Sequence, residues 1–372
     1  MLFFCKRNIS FIYSCQDTYL FTFSFKSSNY LRKVLILMKD RIDSRIGFGP
    51  MSPEIIEGIL KASAKNKKAF MLIATQRQID WDRGYVSNWT TPEYVDFVIG
   101  LKRKYRESEI YLCRDHCGPG FKSDAIKDFY MTVNCDIECG FDLIHVDFSR
   151  VSSDKKVVLN ETRKAINKIL EIDDDMLIEI GTEVNTGLYK DNIDEIREEL
   201  YFIKNSVQPE FFVVQTGSLV KEINQVGNFN KKFIEKVHAL LSENSVKLKE
   251  HNADYLSKEE IIERKGVVDA FNIAPQLGVL QTLAVINEAL FYGVRIDEFL
   301  TRSYESRAWG KWMYHNDFRN KMLCSVIAGH YNFMSDEYKK VIDQLEKYVD
   351  IKQLIVDRIC DFAEETSASF CG

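Results

Sequence analysis

Two of the six histidines in this chain directly follow an acid at the end of a strand-like run: Asp115-His116 after IYLCR and Glu250-His251 after VKLK. His116 and His251 on separate strands, with a carboxylate from a third, would make an open divalent-metal site. Neutral imidazole and carboxylate oxygen suit zinc or manganese, and an incomplete protein shell leaves room for a substrate oxygen. Glu183 in IEIGTE is the carboxylate assigned to that shell, with Gln215 as the alternative ligand. Such an ion would polarise a carbonyl and stabilise an enediolate. Asp115 and Asp147 are then the candidates for proton transfer to a sugar carbon or hydroxyl. The bland alternative for both aspartates is an ion pair or a loop cap. Gln76, Gln215 and Asn272 offer amides for substrate binding. Cys113 and Cys117 straddle a strand end and are no zinc knuckle; Cys135 and Cys139, one helical turn apart, read as buried packing.

These residues need a scaffold that gathers strand ends. From Arg45 onward, short apolar runs alternate with amphipathic stretches. Strands are expected at 46–49, 69–75, 110–114, 143–148, 176–180, 211–215, 246–249 and 270–273, each with the apolar character of a parallel strand buried on both faces. Helices are expected at 53–66, 92–105, 123–139, 160–171, 192–205, 230–243, 257–265 and 276–292. Ser52-Pro53 and Thr91-Pro92 supply the first two N-caps. Strand starts recur every 23 to 41 residues, the length of a βα unit. Eight such units predict an α/β fold, a (β/α)8 TIM barrel, in which chemistry gathers at the C-terminal ends of the strands. A doubly wound sheet is the rival, but GFGPMS after the first strand lacks the spacing of its phosphate-binding turn. The barrel is assigned to residues 38–297. Residues 298–372 read as a C-terminal helical extension that packs on the barrel, with Trp309, Trp312, Tyr314, Phe318, Tyr331 and Phe333 as core of those helices.

Composition is that of an ordinary globular chain: 45% hydrophobic and 28% charged over 372 residues. Fifty basic residues against 55 acidic, with no basic tract, argue against nucleic-acid binding. Nine cysteines, an odd number thinly spread, read as reduced thiols in a cytoplasmic protein. Residues 1–37 are rich in Phe, Tyr and Ser. Lys6, Arg7, Asn8, Gln16 and Asp17 break their apolar run, so neither a signal peptide nor a membrane span fits. This extension is expected to be dispensable. A chain starting at Met38 should express and melt like the full one; a loss of solubility, or of several degrees in melting temperature, would contradict this.

The strand-end motifs IATQRQIDWDRGYVSNWTTPEYVDFV, CRDHCGPG, IHVDFS, IEIGTEVNTG, EHNADY and FNIAPQLGVLQTLAVINEAL resemble the GatZ/KbaZ family. These are the non-catalytic subunits of class II D-tagatose-1,6-bisphosphate aldolase. SYESRAWGKWMYH and MLCSVIAGHYNFMS resemble that family's tail, and the likeness spans about residues 44–340. The resemblance implies an aldolase-type barrel, distantly related to catalytic class II aldolases in which a catalytic Asp precedes a metal-binding His. Asp115-His116 matches that pair, and His251 matches a second metal histidine. The chain departs elsewhere. Gln215 stands where those enzymes place a third metal histidine, Asn252-Ala253-Asp254-Tyr255 replaces a glycine-rich phosphate loop, and Asn272-Ile273-Ala274 replaces Asn-x-Asp. The relatives also include metal-dependent sugar epimerases. Two functions are therefore expected. One is a divalent-metal-dependent aldolase or epimerase acting on a ketose or ketose phosphate, alone or as a homo-oligomer. The other is a non-catalytic subunit that stabilises a partner aldolase.

Overall fold

A computed structural model describes residues 42–181, 192–314 and 320–371. Glu183, residues 1–37 and Phe318 lie outside the described residues. Eight parallel strands close into a barrel: β1 Ile46–Phe48, β2 Phe70–Thr75, β3 Ile110–Cys117, β4 Leu143–Val146, β5 Leu177–Ile180, β6 Phe211–Val213, β7 Lys247–Glu250 and β8 Ala270–Ile273. Each strand pairs with the next, and β1 closes on β8 through Ile46–Phe271 and Phe48–Ile273. A helix follows every strand: α1 Pro53–Asn66, α2 Thr91–Lys104, α3 Ile126–Cys139, α4 Lys155–Ile172, α5 Ile193–Lys204, α6 Lys231–Glu243, α7 Lys258–Glu263 and α8 Pro275–Tyr292. The (β/α)8 expectation holds, as does Ser52-Pro53 as the start of α1. The second cap is shifted by one residue. Thr90, not Thr91, caps α2, because its hydroxyl accepts from Glu93 N–H while the Glu93 carboxylate accepts from Thr90 N–H.

The strands separate two packing layers. Met71, Ile73, Tyr111, Cys113, Leu143 and Phe211 pack inside the barrel. Alternate residues, such as Leu72, Leu112, Ile144, Ile178 and Leu248, face the helices and join the larger core. The same alternation sorts the charged residues. Arg114 points outward and makes a bidentate, fully buried pair with Asp136 of α3, at 2.6 and 2.7 Å. Its remaining nitrogen donates to the Ala74 and Ile79 carbonyls. Glu250 also points outward, to Arg264 and Thr216. Removing one partner of a buried pair strands the other charge, which costs about 3–5 kcal/mol. Asp136→Ala should therefore lose stability on that scale in a denaturant titration; a loss below about 1 kcal/mol would contradict this account of Arg114.

Beyond α8 come α9 Asp297–Glu305, α10 Lys321–Ala328, α11 Asp336–Leu345 and α12 Ile351–Cys371, with single 3-10 turns at Gly310–Trp312 and Gly329–Asn332. α12 lies along α1, salt-bridged through Lys61–Asp357 and Lys65–Glu364. The aromatics of this region divide. Trp309 is buried with Met313, Cys324 and Ile327 as expected, whereas Tyr314 is exposed and Trp312 and Tyr331 border an open cleft. No described helix is long and apolar enough to cross a membrane, and none of the described cysteines forms a disulfide.

Candidate functional site

One layer above the apolar barrel interior, the inward positions turn polar: Asp115 on β3, His145 on β4, Glu179 on β5 and Lys249 on β7, with His251 just past the end of β7. Adjacent residues of a regular strand point to opposite faces, so Asp115 and His116 could not share one site on an unbroken strand. β3 resolves this with an irregularity. Its register against β4 shifts between Arg114 and Cys117, and His116 adopts a left-handed backbone with φ 43°. A bulge re-aims a side chain in this way, at a cost in local strain. The chain then turns at Gly118, where a Cβ would lie 1.7 Å from the Asp147 carbonyl oxygen, so only glycine fits.

Three imidazoles converge. His116, His145 and His251 have ring centroids 4.9 to 5.2 Å apart, and each offers a nitrogen within 4.8 Å of the others. Asp115, His145, Glu179 and His251 form an overlapping group on the same criterion. The outer contacts fix the ring tautomers. His116 Nδ1 lies 2.7 Å from Asp147 Oδ2. Burial opposes ionisation of Asp147, but its bond to His116 outweighs this and holds the carboxyl below its usual range. An ionised carboxylate only accepts, so Nδ1 carries the proton. His251 Nε2 likewise donates to Glu179 Oε1 at 3.0 Å. Burial opposes ionisation of Glu179 as well, but Lys249, 2.6 Å from Oε2, and His251 hold it down to about 2. In neutral rings the remaining nitrogens, His116 Nε2 and His251 Nδ1, then present lone pairs to each other at 3.2 Å.

That contact is tolerable only with a cation on it or between the rings. A proton on His116 is one solution: burial pulls the ring down, but Asp115, Asp147 and Glu179 outweigh it and push it up to about 9. A divalent ion is the other, and the donor set fits it: convergent imidazole nitrogens, flanking carboxylates, and outer carboxylates that orient the rings. Asp115 Oδ1 is buried without a hydrogen-bond partner. The ring nitrogens of His145 and His251 stand 3.6 and 3.8 Å from it.

The cluster opens into a cleft of about 910 Å³ bordered by Asp115, His116, Asp147, His251 and Asn272. The residues singled out in the sequence fall as follows. Asp115, His116, Asp147 and His251 come together. Asp147 has both oxygens engaged, one by His116 and one by Ser149 N–H. Gln76 borders the cleft, but its amide bridges Thr132 and Gly118 N–H. Gln215 borders a small cavity beside His145 and His251. Asn272 is buried at the cleft with neither side-chain polar atom bonded. His145 and Glu179, within the motifs IHVDFS and IEIGTE, were given no role by the sequence. Their signal is their phase, since Leu143-x-His145 and Leu177-x-Glu179 repeat the inward alternation that Tyr111-x-Cys113-x-Asp115 shows.

Known proteins share this frame. A probable tagatose 6 phosphate kinase from Sinorhizobium meliloti 1021 superposes with a TM-score of 0.74 at 16% identity, covering 88% of this chain and all of its own. The chain has the aldolase-type barrel fold. The YdjI aldolase from Escherichia coli K12 superposes with a TM-score of 0.55 at 10% identity, over 88% of this chain and 91% of that one. A fructose-bisphosphate aldolase from Campylobacter jejuni gives 0.51 at 13% identity, over 87% and 94%. At such identities the likeness is one of fold. No family model and no curated protein sequence matches.

Proposed function

We propose that this chain is a divalent-metal-dependent enzyme that acts on a ketose or ketose phosphate, by aldol cleavage or by epimerisation. The observation that carries this reading is the pair of imidazole nitrogens facing each other at 3.2 Å, each ring oriented from behind by a carboxylate. His116 and His251 would hold the ion, with His145, whose Nδ1 accepts from His116 N–H, and Glu179 beside them. Nitrogen-rich ligation favours zinc, with manganese the alternative. When bound, the ion supplies a Lewis acid at a substrate carbonyl or hydroxyl oxygen.

The chain's own residues have separable tasks in this reading. Asp147 fixes the His116 tautomer. Glu179, itself held by Lys249, fixes His251. Asp115 is the proton carrier: burial opposes its ionisation, but His116, His251 and His145 hold the carboxyl well below the usual range, so it stands ionised at neutral pH with a site to accept a proton. Its unpartnered oxygen is available to a substrate C–H or O–H. Arg77, Arg150, Arg307 and Lys311 line the same cleft, and this positive charge suits a phosphorylated substrate. Barrels of this shape in proteins described as aldolases support the carbohydrate reading. A subunit that only stabilised a partner aldolase would have no need of these groups on strand ends.

The test is an assay of the purified chain alone against ketoses and ketose phosphates, with added zinc or manganese and with a chelator. Turnover that needs the ion and disappears on chelation is expected. Inactivity with both ions across the panel would leave the stabilising subunit as the better reading.

A further inference from the structure

Buried polar groups are nearly always paired, and those left unpaired call for an explanation. Among the described residues, the unpartnered buried side-chain groups other than hydroxyls belong to Asp115, Asn272, Trp312 and His330. All four residues line the one cleft. Asp115 and Asn272 come from barrel strands. Trp312 and His330 come from the segments after α9, and no role described so far uses them.

His330 is 2% exposed, and beyond a weak contact with the Ile327 carbonyl neither ring nitrogen is hydrogen-bonded. The fold makes room for it: a Cβ on Gly278 of α8 would lie 2.5 Å from the His330 Cβ. Its ring packs against Tyr331 and Tyr85, with centroids 3.9 and 6.2 Å away. Trp312 is fastened over the same opening, since its carbonyl accepts from Glu222 N–H at 2.6 Å. Glu222 sits in the short hairpin after β6, whose Gln225 donates to the Asn252 and Asp254 carbonyls just beyond His251. The hairpin thus ties the C-terminal wall to the loop that carries a candidate metal ligand.

We propose that His330 is a substrate-recognition residue: its ring hydrogen-bonds a hydroxyl of the bound ketose, on a wall of the cleft supplied by the C-terminal helical segment. A neutral imidazole has one donor and one acceptor nitrogen, and a hydroxyl can either accept from the first or donate to the second. Burial and the neighbouring Lys311 push the ring down to about 3 against the pull of the Ile327 carbonyl, which keeps it neutral. Trp312 Nε1 adds a second donor, and the Trp312 and Tyr331 rings offer apolar faces to sugar C–H groups. The inference rests on the ketose reading of the site.

The experiment compares wild type, His330→Leu and His330→Gln by thermal melting and by calorimetric titration of the zinc-loaded protein. The probes are D-fructose, D-tagatose and their 1,6-bisphosphates. Leucine removes an unsatisfied polar group, so its melting temperature should equal or exceed that of wild type. It should bind the best probe about tenfold more weakly, with glutamine recovering part of the loss. Equal binding by wild type and His330→Leu would overturn the inference while leaving the ketose reading standing. A melting temperature several degrees lower in both variants would make His330 structural and also overturn it. Failure of wild type to bind any probe would remove the ketose reading and this inference with it.

Discussion

His116→Ala should abolish stoichiometric divalent-metal binding while leaving the barrel folded. His116 is one of the two rings whose nitrogens face each other at 3.2 Å, and its other nitrogen is held by Asp147. Removing it leaves His251 and His145 on one side of the cluster, and no other described histidine borders it. Its side chain is about one-third exposed at the cleft, so truncation opens no sealed core cavity. Metal content by elemental analysis and the far-UV circular dichroism of the same sample check the two halves of the prediction. Turnover should fall with the metal. A variant that keeps about one equivalent of tightly bound zinc would show that the ion sits elsewhere.

Asp115→Asn should keep the metal and lower kcat by about a hundredfold or more, the usual scale for losing a general acid or base. The amide preserves the shape of the carboxylate and part of its hydrogen bonding, but it cannot take up a proton at neutral pH. Asp115 has an oxygen buried without a partner, whereas both Asp147 oxygens are bound. The proton role therefore falls to Asp115 and the orienting role to Asp147. Loss of metal from Asp115→Asn would make Asp115 a ligand, consistent with its place beside His145, Glu179 and His251. Full activity with metal retained would make it structural.

The barrel was legible because parallel strands buried on both faces leave apolar runs at βα spacing, and helix starts such as Ser52 carried their own caps. Strand ends were less so. The sequence reading stops β3 at Arg114, before Asp115 and His116. The strand instead continues to Cys117, and the bulge with the positive φ at His116 does the aiming. A bulge leaves little trace in composition: histidine is enriched among non-glycine residues with a left-handed backbone, but one histidine in a strand does not mark a bulge. His145 and Glu179, polar positions within IHVDFS and IEIGTE, were given no role, because a continuous apolar run conceals which residues face the barrel axis. Arg114 and Glu250 show the converse. Arg114 adjoins the Asp115-His116 signal and Glu250 is itself the acid of the other, but their outward phase places them in ion pairs with Asp136 and Arg264. His330 belongs to a part of the chain with no strand phase to read, and only its unsatisfied nitrogens in three dimensions mark it.

The central claim is that the His116–His145–His251 cluster binds a divalent cation, and zinc titration of the chelator-treated wild-type chain, followed by calorimetry and melting temperature, tests it most directly. The account predicts about one equivalent bound per chain, with a melting temperature several degrees higher at saturating zinc, because an ion that binds only the folded state stabilises it by mass action. No binding heat and an unchanged melting temperature with both zinc and manganese would contradict it.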